Sequence, residues 1–227
     1  FDVTSENYST INVVVNDGWL KINPAAEVTV TISGNTKTET YDGTLKTVGG
    51  YTTDITDDTI KVALKTGKEA KAEGTNANTY NMGLTKDSFD VTSENYSTIN
   101  VVVNDGWLKI EKAKAKVVAN PATKKYGEKD PEFTAKVYLV VGDKETEGVY
   151  KGDTISYTIS RTIAGELIGT YPGAIVPAEI TGEQDPNPNY DVTYIPATFT
   201  IEATGDEKIV TKTIGDQKLN LGETATF

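Results

Sequence analysis

FDVTSENYSTINVVVNDGWLKI, residues 89–110, repeats without a change the first 22 residues of the chain. The two copies start 88 residues apart. An identity of that length does not arise by chance. A unit of about that size has been duplicated, and the chain reads as part of a tandem array. Within the first copy, Ile11 to Val15 is an apolar run of strand type. Asn16-Asp17-Gly18 is a turn signal, with glycine able to take positive φ. Trp19 to Ile22 reads as the return strand, with Leu20 and Ile22 on one face. The stretch is therefore expected to be a β-hairpin, both at 1–22 and where its copy closes the unit at 89–110.

Residues 23–111 read as one strand-built module. Asn23-Pro24 stops the first pairing, because proline has no N–H to donate. Residues 27–32 alternate as a strand, Tyr41-Asp42-Gly43 is a turn, and residues 59–64 alternate again. Gly67 turns the chain into residues 69–72, where one turn of helix is the alternative. Residues 79–82 are a further strand. Residues 112–202 form a second module. Its clearest period-two run is Ile155, Tyr157 and Ile159 against Ser156, Thr158 and Ser160. Landmarks recur in order in both modules: Tyr41-Asp42-Gly43 with Tyr126-Gly127, Thr79-Tyr80 with Thr170-Tyr171, Asn95-Tyr96 with Asn189-Tyr190, and 108–110 with 199–201. Residues 203–227 read as the first two strands of a further domain. Half a domain cannot bury its face, so this tail is expected to be disordered or to pair with an open edge. Residues 1–22 read as the trailing hairpin of an upstream repeat, which can hang loose, add to an exposed edge or pack onto 23–88 in place of the native copy; edge addition or exchange is expected.

The expected class is all-β, a tandem of two small Ig-like sandwiches. A β-grasp-like module is the alternative, but it needs a helix, and residues 68–73 are a poor candidate for one.

Composition narrows the function. The 227 residues contain no cysteine and no histidine. This removes Ser-His-Asp and Cys-His nucleophilic sites, thiol chemistry and His-based zinc sites. The formal net charge is −11 and the only arginine is Arg161. Nucleic acid is not an expected partner, because phosphate backbones are bound by clustered Lys and Arg. No apolar run approaches the roughly 20 residues of a membrane-spanning helix, so no membrane insertion is expected. No signal peptide opens the chain, and an excised segment of a longer polypeptide is expected.

Each candidate site has a packing role as its alternative. Trp19 and Trp107 follow the expected turn and can stack on a sugar or anchor a protein, or staple the hairpin. Tyr96 and Tyr190 stand at matched places, as glycan platforms or as buried rings tied to a turn. Asp54, Asp57 and Asp58, and Glu183, Asp185 and Asp191, are oxygen-rich clusters. They match no calcium loop and read as solvated turns, so no metal is expected. Glu128 with Asp130, and Glu145 with Glu147, lie too close along one turn to face across the roughly 5–9 Å of a glycosidase cleft. No catalytic residue and no cofactor is expected. Lys–Asn isopeptide crosslinks need a buried lysine, an asparagine and an acid, and no pair stands out.

Several motifs carry a family likeness. YDG at 41–43, GTNANTY at 74–80 and VNDGWLKI at 103–110 resemble the YDG-type repeats of large surface proteins in gut Firmicutes. KKYGEKDPEF at 124–133, ISYTISR at 155–161, GELIGTY at 165–171, NYDVTY at 189–194 and FTI at 199–201 resemble the MBG domain of the YGX type. EKIVTKTIGDQKLNLGETATF at 207–227 resembles the start of an Ig-like domain of the DUF11 class. The resemblance implies a secreted, wall-anchored Gram-positive surface protein of many domains, and no shared ligand. Two functions are expected to compete. One is a non-enzymatic stalk that holds a distal adhesin domain away from the wall. The other is binding by the modules themselves to mucin glycan or to a host protein such as immunoglobulin, with avidity from repetition.

Overall fold

The computed structural model describes residues 1–25, 27–182 and 184–205. The chain divides into two compact units, 1–111 and a second that begins at Lys112. Among the described residues the regular structure is strand, apart from one 3-10 turn at Lys86–Ser88. The class is all-β and sandwich-like. The helix that a β-grasp would need at 68–73 is not formed. Lys68 N–H donates to Lys65 C=O in a turn through Gly67, and the chain then runs into a strand.

In unit 1 the strands are β1 (Val28–Gly34), β2 (Thr36–Thr40), β3 (Lys46–Gly49), β4 (Tyr51–Thr53), β5 (Lys61–Leu64), β6 (Lys71–Gly74), β7 (Asn78–Asn81), β8 (Phe89–Thr92), β9 (Ile99–Asn104) and β10 (Trp107–Glu111). Two three-stranded sheets, β4-β1-β9 and β2-β10-β7, carry the unit, with two-stranded ribbons β3-β6 and β5-β8 beside them. Period-two patterning sets the faces. In β1 the buried positions are Val30, Ile32 and Gly34; in β10 they are Leu108 and Ile110. The core gathers Val30, Ile32, Ile60, Leu84 and Phe89, with Tyr51 edge-on to Phe89 at 5.0 Å between ring centroids.

The expected hairpin is not there. In residues 99–110, β9 and β10 lie in different sheets and do not pair with each other. Strand β9 runs parallel to β1, and β10 runs parallel to β2 and antiparallel to β7. Asn104-Asp105-Gly106 is the step by which one long strand passes from the first sheet to the second. The side chain of Asp105 accepts from the N–H groups of Gly83 at 3.0 Å and Leu84 at 2.8 Å, which fixes the loop after β7. Gly106 is not among the positive-φ glycines. It is needed for room: a Cβ built there would lie 2.6 Å from the Asn35 carbonyl oxygen, and one on Gly34 would lie 2.4 Å from the Gly106 nitrogen. The first copy forms no hairpin either. Residues 1–22 contain no strand and every one is exposed.

Unit 2 contains β11 (Ala113–Ala119), β12 (Ala122–Lys125), β13 (Ala135–Val141), β14 (Lys144–Glu147), β15 (Thr158–Arg161), β16 (Gly169–Ala178), β17 (Tyr190–Ile195) and β18 (Ala197–Glu202). Its sheets are β14-β13-β11-β17 and β12-β18-β16-β15. The alternating run at 155–160 is strand only from Thr158 onward. Ahead of it, the buried Asn187 side chain takes the place of a neighbouring strand. Its amide oxygen accepts from Ser156 N–H and its amide nitrogen donates to Ser156 C=O, both at 2.9 Å.

The same path recurs inside each unit. The first strand pairs in parallel with the last but one, β1 with β9 and β11 with β17. The second pairs in parallel with the last, β2 with β10 and β12 with β18. The matched residues fall at matched places. Tyr41 and Tyr126 donate their N–H groups to the final residues Glu111 and Glu202, each at 2.8 Å. Tyr80 faces Leu108, and Tyr171 faces Phe199. Each of those tyrosine hydroxyls donates to a carbonyl four residues back, Asn76 or Leu167. The two strands of a further domain that were expected in the tail fall in 206–227, outside the described residues.

Candidate functional site

The outer face of β10 holds Trp107. Leu108 and Ile110 point inward, so Trp107, Lys109 and Glu111 point out. Strand register places Trp107 between Thr36 of β2 and Asn81 of β7, and Lys109 between Thr38 and Thr79. Trp107 is half-buried within this polar face, and Lys109 is ion-paired with Glu111 at 2.9 Å. None of its strand neighbours on that face is aromatic. Tyr80, one register position away, faces Leu108 and so lies on the inner side. Tyr96 lies just before β9, which belongs to the other sheet. Trp19 is exposed within 1–22. The three residues singled out in the sequence are therefore not brought together.

Tyr96 is tied down. Its hydroxyl donates to Asp57 Oδ2 at 2.9 Å. Its equivalent, Tyr190, donates to Asp153 at 2.6 Å. The Asp57 carboxyl sits below its ordinary range chiefly because the Thr59 hydroxyl and N–H donate to it, with Tyr96 adding to the effect. The same carboxylate holds the Tyr96 hydroxyl's pKa above the ordinary phenol value. Each tyrosine stands on the first rung of its unit's parallel ladder, Tyr96 opposite Ala25 and Tyr190 opposite Ala113. Both therefore serve as locks on the point where the chain enters the unit.

The acidic clusters disperse onto separate partners. Asp54 accepts from Thr31 N–H at 2.8 Å, and the Asp58 carbonyl accepts from the Lys61 ammonium. Asp185 pairs with Lys112 and Asp191 with Lys114, while Glu183 lies outside the described residues. Among the described residues no three acidic side chains gather as a metal site would require. Glu145 is paired with Lys116 and Glu147 with Lys136. Glu128 caps the N–H of Lys125 at 3.0 Å. No buried lysine meets an asparagine: among the described residues Lys124 and Asn187 are the buried pair of those types, and each is held elsewhere.

What the sequence did not reveal is where Lys124 goes. Its ammonium lies 2.8 Å from Asp130 and 2.5 Å from Glu166. Arg161 joins the same two carboxylates, at 3.0 Å to Asp130 and 2.5 Å to Glu166. The four side chains close a ring of alternating charge along one side of an open groove. Beneath it the buried Phe199 ring faces the Arg161 guanidinium at 4.9 Å and the Lys124 ammonium at 6.0 Å, close enough for cation–π attraction. Hydrogen bonds from Lys124 and Arg161 hold Glu166 below its usual range, and Asp130 and then Glu166 raise Lys124. With all four charges satisfied, this is a lock on the fold. Its members come from three separated motifs, at 124–133, 155–161 and 165–171. The one available signal was a lone arginine in a chain rich in acids.

Comparison with known proteins agrees with the motif reading of this unit. Residues 115–200, within the second unit, match the family model of the MBG domain (YGX type). No curated protein and no solved structure matches the chain.

Proposed function

We propose that this chain is a length of stalk from a bacterial cell-surface adhesin, a non-enzymatic spacer that carries a binding domain outward from the cell wall. One observation carries the reading. In each unit the chain enters at the first rung of the parallel ladder and leaves at the last: at Ala25 and Glu111 in unit 1, and at Ala113 and Glu202 in unit 2. A long strand such as 28–40 has a contour of roughly 40 Å at about 3.3 Å per residue. A unit traversed from end to end adds reach to a polypeptide. A hairpin-closed unit, entered and left on one side, does not. The MBG family match supports a repeat domain of surface proteins. The ring of Lys124, Asp130, Arg161 and Glu166 supports a rigid bead without chemistry.

A second reading rests on Trp107. A half-exposed indole between Thr36 and Asn81 on a sheet face has the mixed character of a sugar-stacking surface. On that reading the partner is mucin glycan or a host protein such as immunoglobulin. A glycan-array and serum-protein binding screen on the full chain separates the two, with Trp107→Ala as control. The stalk reading expects no binding above background. Saturable binding that Trp107→Ala abolishes would replace it with the second.

A further inference from the structure

The ladder that gives each unit its reach also decides how it meets a pull. We propose that each unit is a shear-loaded mechanical clamp, whose resistance to stretching resides in the parallel pairing of its first two strands with its last two. The proposal deepens the stalk reading and rests on it for its biological setting, but the mechanics follow from topology alone.

In unit 1, six rungs join β1 to β9 and five join β2 to β10. In unit 2, six join β11 to β17 and four join β12 to β18. The strands of each pair run in the same direction. Tension therefore draws the first long strand backward, toward its own start, and the last long strand forward, toward its own end. The two slide past each other, and the rungs bear the load together. Had the closing strands formed the hairpin that the sequence resembles, a pull on its two ends would have opened it one rung at a time.

Three features confine the sliding. At the sheet-to-sheet step of unit 1 the backbones of Gly34 and Gly106 are in direct contact, with no room for a side chain between them. At the entry end, the hydroxyls of Tyr96 and Tyr190 bind Asp57 and Asp153, which belong to other parts of their units. At the exit end, Glu111 and Glu202 accept from Tyr41 and Tyr126. The entry end of each ladder is thus fastened to a segment outside it, and the exit end closes on one more rung, since Tyr41 and Tyr126 directly follow β2 and β12.

The test uses two pulling geometries on the same full chain. The chain has no cysteine, so thiol handles placed by substitution are unique. Ala25→Cys with Glu111→Cys loads unit 1 in shear. Ala25→Cys with Thr98→Cys loads the same ladder from one end and opens it rung by rung. All three positions are exposed. Forced unfolding reads the unfolding rate under load, the quantity that such a clamp lowers. Single-molecule force spectroscopy at one loading rate is expected to give a shear unfolding force several-fold above the unzipping force. A shear force equal to or below the unzipping force overturns the clamp and leaves the stalk reading as it stands. Ligand binding in the screen above removes the stalk reading and leaves the two forces unchanged.

Discussion

Residues 1–22 and 89–110 are the same peptide in two conditions. In the second copy, Phe89 pairs with Leu64 and packs under Tyr51, β9 lies along β1, and β10 lies between β2 and β7. In the first copy those letters meet none of these partners. Leu108 is fully buried while Leu20, its twin, is 86% exposed; Ile110 is 3% exposed and Ile22 is 84%. The difference shows that β-propensity in this peptide is permission to pair, not an instruction. The Val-rich run at 99–103 becomes strand because β1 is beside it. The identical run at 11–15 has no such neighbour and forms none.

Paired substitutions sharpen the contrast, since each change can be made in either copy. The largest effect is expected at the core leucines. Leu108→Ala should cost unit 1 about 2–5 kcal/mol in chemical denaturation, by leaving a cavity in a close-packed site. Leu20→Ala should stay within about 0.5 kcal/mol of the parent. Equal effects would show that the first copy is packed as the second is. Next come the glycines. Gly106→Ala forces a methyl onto the Asn35 carbonyl and the Gly34 backbone, and should cost about 1–3 kcal/mol. Gly18→Ala meets nothing within 4 Å and should be silent.

The smallest effect concerns the tyrosines. Tyr96→Phe removes the bond to Asp57 and should lower the melting temperature slightly, whereas Tyr8→Phe should not. The pH dependence has a defined sign. Because the folded-state pKa of Asp57 lies below its ordinary 3.8, its contribution is fully present above that value. It is lost as pH falls through the lower, folded value. The gap in melting temperature between parent and Tyr96→Phe should therefore narrow in acid below pH 3.8 and hold steady at neutral pH. A gap that widened in acid would contradict the assignment of the hydroxyl as donor to the ionised carboxylate.

Much of the fold was legible because period-two patterning is local. Strands at 28–34, 61–64 and 190–195 are visible in their own letters, as are the turns through Gly43 and Gly127. The matched tyrosines were legible for the same reason, since each recurs beside a constant neighbour. Partner choice was not. Asn104-Asp105-Gly106 carries the chemistry of a tight hairpin turn, yet Asp105 is used to hold Gly83 and Leu84, and Gly106 is used for its lack of a side chain. A glycine needed for space and one needed for φ are spelled alike. At the candidate site, the tie of Tyr96 to a turn was legible, but the ring on Phe199 was not. It is assembled from side chains at 124, 130, 161 and 166, which only the sheet order brings together.

The duplicated peptide coincides with β8 to β10, the strands that finish unit 1. That placement has a genetic consequence. Recombination between the two identical tracts adds or removes 88 residues, an interval spanning β1 to β10. Whatever the crossover point within the tract, each surviving junction keeps the same closing peptide at its end. Each 88-residue increment carries β1 to β10, a whole unit and not a fraction of one.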